Sequence, residues 1–180
     1  MRTLATLIIF LFSFSLYAAE DLLDDQMGMV SPHGAFTIAQ HRNGNWTTKI
    51  QYRGSHTADL TLDGDYPWPA IYHISEDERW MLQIQKTGSG ENIAMLYRLE
   101  PNKQLWRMEQ HLDDLAFTFL AHDSGVSRSD LYHTGIEFVS WDLKELTLQF
   151  TVHGTNVKES SKGINRELKY KLKDNVITAK

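Results

Sequence analysis

Apolar and polar residues alternate in steps of two along most of this chain. Trp46, Thr48, Ile50 and Tyr52 share one face of the run "WTTKIQY", and Leu146, Leu148, Phe150 and Val152 share one face of "LTLQFTVH". Leu168, Tyr170 and Leu172 repeat the pattern in "LKYKLK", with Lys169, Lys171 and Lys173 on the other side. A period of two is the signature of half-buried antiparallel strands. Between the runs lie "RNGN", "LDGD", "TGSGEN" and "LKDN", whose Gly, Asn, Asp and Ser suit hairpin turns. One stretch breaks the rule: Leu105, Met108, Leu112, Leu115 and Phe119 fall at three- and four-residue steps, which fits a single helix near 102–121. The same residues also read as a strand "KQLWRM", a turn at "HLDD" and a strand "AFTFLA", and two strands is the expectation adopted.

Three segments share a further pattern. "VSPHGAFTIA", "ISEDERWMLQI" and "VSWDLKELTLQF" each place a β-branched residue and a Ser ahead of His or Asp, followed by a turn into a strand. Their serines, Ser31, Ser75 and Ser140, are separated by 44 and then 65 residues. Ser and Asp side chains in such a position bond to the backbone amides of a tight turn. Ser75, Glu76 and Asp77 are therefore expected to hold a turn rather than to perform catalysis.

"SPHGAF" and "SEDERW", the latter followed by "GSGENIAMLYRLEPNKQLWRM", resemble the Ser-Pro-Asp-Gly repeats of TolB-type β-propellers. The match is best from Ile71 to Met108, with His33 and Glu78 standing where that pattern has Asp and Gly. The resemblance implies blades in which the motif precedes the first strand. Three units fall short of the four blades of the smallest propellers. The expected fold is therefore all-β, with antiparallel sheets arranged as a partial propeller or a β-sandwich, and a homodimer is one way of completing it.

The N-terminus sets location. Residues 1–19 carry Arg2, an apolar run from Leu4 to Tyr17 and the pair Ala18–Ala19, the layout of a secretory signal peptide. The run is shorter than the ~20 residues that cross a bilayer, so no stable transmembrane helix is expected after cleavage. A periplasmic or secreted location follows, with residues 20–30 as an acidic flexible lead-in and 31–180 as one β domain. The chain has no cysteine, which removes disulfides, thiolate metal sites and a cysteine nucleophile. Basic residues number 18 against 23 acidic ones, and Lys and Arg are scattered singly except near the C-terminus, which gives no nucleic-acid footprint.

Candidate chemistry is sparse, and no catalytic residue, metal ligand set or cofactor is assigned. "HDSG" at His122–Gly125 holds the letters of a hydrolase triad, but neighbours on one loop cannot aim at one point. A hydrolase or metal enzyme would have to gather His122, Asp123 and His133, or the evenly spaced His111, His122 and His133. A β-barrel carrier of an apolar ligand is a further alternative. The preferred site is "DGDYPWP": Tyr66 and Trp68 interleave with Pro67 and Pro69, a backbone that resists strand pairing and displays rings for contact. Asp63 and Asp65 flank it as weak cation ligands. The expected function is non-catalytic binding of a protein or envelope component, with carbohydrate as an alternative partner.

Overall fold

The computed structural model describes residues 26–54, 60–100, 105–159 and 163–180. The signal segment and residues 20–25 lie outside them. Among the described residues twelve strands form three four-stranded antiparallel sheets, each a meander of consecutive strands. The first contains β1 (Gln26–Val30), β2 (Phe36–Asn43), β3 (Asn45–Tyr52) and β4 (Leu60–Tyr66). The middle sheet contains β5 (Ala70–Ile74), β6 (Trp80–Gly88), β7 (Glu91–Glu100) and β8 (Leu105–His111). After the helix α1 (Leu112–Asp123) the third sheet contains β9 (Leu131–Asp142), β10 (Thr147–Asn156), β11 (Gly163–Lys171) and β12 (Val176–Ala179). The all-β expectation holds. Gln26–Val30, placed by sequence in the lead-in, is a strand paired along its whole length with β2, because Met29 joins the apolar core beside Ile38.

Burial patterns explain how the sheets stack. From Phe36 to His41 in β2 and from Leu148 to Asn156 in β10, buried and partly exposed residues alternate, so each strand buries one face. In β6, five consecutive residues from Met81 to Gln85 are buried. Met81 packs with Phe36, Ile38 and Ile50 of the first sheet, while Leu82 and Ile84 pack with Ile136, Phe150 and Val152 of the third. The middle sheet is thus covered on both faces, and its strand loses the polar side of the alternation for that reason. The outer faces of the end sheets are polar. Thr37, His41, Lys49 and Gln51 occupy one, and Gln149, Thr151, Glu167 and Lys169 the other. The stack of three sheets therefore ends in a solvated face on either side.

The segment around 102–121 divides into both predicted forms. Leu105–His111 is strand β8, and Leu112–Asp123 is helix. The expected second strand, "AFTFLA", is helical because Leu112, Ala116, Phe117, Leu120 and Ala121 make one buried stripe that fills the wedge between the middle and third sheets. Asp113 and Asp114 in its first turn suit the positive end of the helix dipole. Among the described residues no helix is long and apolar enough to cross a membrane. The strands form separate sheets with packed interfaces, so a closed barrel around an empty interior is not the architecture here.

Candidate functional site

The Ser-containing turns join the first and second strands of their sheets, one strand later than the propeller resemblance implied. Ser31 and Ser75 make the same connections: each backbone N–H donates to the carbonyl five residues on, Phe36 or Trp80, at 3.0 and 2.9 Å. Each hydroxyl accepts the N–H of that same residue, at 3.1 and 3.0 Å. Asp77 completes the second turn by accepting the Ser75 hydroxyl at 2.6 Å and the Arg79 N–H at 3.2 Å. Ser75 has no exposed surface and is a structural residue.

The third turn is built differently. Asp142 pairs with Thr147 and accepts the N–H groups of Lys144 and Glu145, both at 3.1 Å, while Ser140 lies two residues back in the strand. Glu78 sits in the left-handed region at φ 54°, matching Gly34 at 72° in the first turn. Its carboxylate accepts the His33 N–H at 2.7 Å and so ties the second turn to the first. Partial burial raises its pKa, but bonds from Ser31, His33 and Ala35 together outweigh this and lower it below the usual carboxylate value.

Two carboxamides lock the sheets together. Gln40 of β2 donates to the Ala70 carbonyl at 2.9 Å and accepts its N–H at 2.8 Å, covering the edge of β5. Asn92 of β7 treats Ile136 of β9 in the same way, at 3.2 and 2.8 Å. Both side chains imitate a neighbouring strand. Gly135 lies beside the second clamp, where an added Cβ would come within 2.6 Å of the His153 ring and displace that side chain. His73 of β5 stacks on Phe138 of β9 with centroids 4.1 Å apart, and burial lowers its pKa.

At the end of the seam away from the Ser turns, the three sheets surround a cleft of about 670 Å³. Met27 of β1, Trp68 before β5, Ile71 of β5, Lys86 of β6, Glu91 of β7 and His153 of β10 line it. Met27, Trp68 and Ile71 are 47, 36 and 60% exposed, an unusual concentration of large apolar side chains facing solvent. Pro67 and Pro69 hold Trp68 between β4 and β5, Gln85 donates to its carbonyl at 2.9 Å, and the Lys86 ammonium lies 5.2 Å from its ring centroid. Fixed rings, apolar walls and a few polar groups are the makings of a recognition site. A shallower hollow of about 870 Å³ at the other end is rimmed by the turns, with Pro32, Glu76, Trp141 and Lys144 among its residues.

Of the four residues predicted to bind, Trp68 lies in the cleft. Tyr66 ends β4, paired with Trp46 and half-buried. Asp63 and Asp65 belong to the backbone of β4, which replaces the loop expected there, and their side chains lie outside the described residues. The hydrolase and metal candidates do not converge. Asp123 pairs with Arg166 at 2.6 Å, and His133 is an exposed residue at the start of β9. His111 caps one end of α1 and His122 occupies its last turn, roughly 16 Å apart at the rise of a helix. Among the described residues no group of three potential ligands gathers. The sequence does not single out Met27, Ile71, Lys86, Glu91 or His153 for this cleft; Met27 and Ile71 carry a local signal only as apolar residues at exposed strand positions, and the three polar residues carry none. No protein-family model matches the chain, and no curated protein matches it either.

Proposed function

We propose that this chain is an exported, non-catalytic binding module of the periplasm or cell envelope, and that it recognises a protein or envelope component through the cleft at Trp68. The observation that carries this reading is the set of exposed apolar side chains, Met27, Trp68 and Ile71, held on rigid backbone where the three sheets meet. Ligand recognition at such a place needs no reacting group, only apolar area and positioned polar atoms. The signal-like N-terminus supports export.

The test compares wild type with a Trp68→Ala, Ile71→Ser double variant, both shown to be folded by melting temperature. Each is photo-crosslinked in a periplasmic and envelope extract, and a glycan array is run in parallel. A defined partner that the wild type captures and the variant loses supports the reading, whether protein or glycan. Capture unaffected by the double substitution removes the cleft from the interaction. Turnover of ester, phosphoester or glycoside substrates that depends on His122 or Asp123 replaces the reading with a hydrolase.

A further inference from the structure

Three meanders have six outer edges, and each is a template for pairing unless it is guarded. β5 is clamped at Ala70 by Gln40, and β9 at Ile136 by Asn92. β4 carries Asp63 and Asp65 in its sequence, β8 carries Arg107 and Glu109, and β12 is four residues long. Among the described residues β1 has none of these protections. Its sequence, Gln-Met-Gly-Met-Val, contains no charge and no proline, and it pairs with β2 without a bulge.

The register shows why β1 differs. Ala70 lies five residues before Ser75, and the position five before Ser31 is Gln26. Ile136 occupies the same place before Asp142 once the bulge at Val139 is allowed for. Each clamp comes from the preceding sheet, and among the described residues no sheet precedes the first. The Ser31 N–H points at Phe36, so by alternation Met27 and Met29 bond toward β2 while the N–H and C=O groups of Gln26, Gly28 and Val30 face outward. Val30 is 63% exposed.

We propose that the free edge of β1 receives an extended peptide of a partner protein, which adds as a fifth strand to the first sheet. Main-chain bonds to Gln26, Gly28 and Val30 supply affinity, and alternate side chains supply selectivity. Side chains on the Met27 face of the added strand enter the cleft beside Trp68 and Ile71. The cleft that the Met27 face adjoins has exposed apolar walls at Met27, Trp68 and Ile71 and an acidic group at Glu91, so the complementary peptide is apolar in alternation with a basic flank. This deepens the reading of the cleft as a binding site, on which it rests for the peptide's side-chain contacts.

The probe is a short peptide amide of alternating valine and threonine with lysine at each end, titrated into the mature chain by calorimetry. Its twin is N-methylated at alternate residues, which removes the donors of one edge and leaves the side chains. The expected result is binding by the first peptide, at least about tenfold weaker binding by the twin, and slowed amide exchange at Gly28 and Val30. Val30→Lys, at an exposed position, is expected to weaken binding by a similar factor with an unchanged melting temperature. Equal binding of both peptides, or full binding by Val30→Lys, overturns strand addition while leaving the cleft intact. No binding of the first peptide overturns it as well, and the crosslinking comparison then judges the cleft alone. A dimer of the mature chain that Val30→Lys dissociates overturns it in favour of a second copy on the same edge.

Discussion

The middle sheet is held on its two faces by different physics. Toward the third sheet and α1 it contributes to a broad apolar cluster, with Leu82, Leu96, Leu112, Leu120, Phe150 and Tyr170 among residues of no exposed surface. Toward the first sheet the cluster is smaller, around Phe36, Ile38, Ile50 and Met81, and it is interspersed with polar contacts. Tyr72 donates to Thr48 at 2.7 Å, Tyr97 to Gln83 at 3.1 Å, and Gln40 and Glu78 reach across to neighbouring backbone. Apolar burial scales with area and tolerates small shifts, whereas hydrogen bonds between buried groups fix orientation and are costly to leave unmade. The larger cluster supplies most of the bulk cohesion, with Asn92 aligning the edge of β9, and the smaller one relies more on polar contacts, with Gln40 aligning the edge of β5.

Substitutions separate the two. Phe150→Ala empties a fully buried site between middle and third sheets and is expected to cost about 3–5 kcal/mol in denaturant unfolding. Gln40→Ala and Asn92→Ala each strip the partner from a backbone N–H and C=O pair, and each is expected to cost about 1–3 kcal/mol. Equal losses at the two clamps would mean that they act alike despite their different surroundings. A negligible loss at either would show that water replaces that carboxamide. Ser75→Ala removes the bonds to Asp77 and Trp80 and is expected to cost about 0.5–2 kcal/mol, by analogy with lost capping bonds.

The smallest effect is a pH dependence at the first interface. The folded pKa of Glu78 lies below its ordinary value of 4.5, so the unfolded chain takes up the proton first. Its stabilising contribution is complete above about pH 4.5 and disappears as the pH falls through the folded value. Glu78→Gln should therefore flatten the acid limb of the stability profile and change little at neutral pH beyond a constant offset. An acid limb identical in the variant would remove Glu78 as the titrating latch.

Several of these features were legible in the residues. Strand runs in β3, β10 and β11 follow from period-two alternation, which is a local property. The turn role of Ser75 and Asp77 follows from side-chain reach over a few residues. The helix was obscured because Leu105 and Met108 of β8 happen to continue its spacing, merging two elements into one pattern. Trp68 was found through its prolines, whereas Met27, Ile71 and His153 come from three different sheets and meet only by packing.

By itself, then, the sequence determined which segments form strands, where the Ser turns fall, and that no disulfide holds the fold, because these depend on neighbours along the chain or on residue type alone. Only the tertiary structure decided that β6 is buried on both faces and that Gln40 and Asn92 cover the edges of β5 and β9. Those outcomes depend on contacts between residues tens of positions apart. The order in which the sheets stack determines them, because each clamp reaches from one sheet to the first strand of the next.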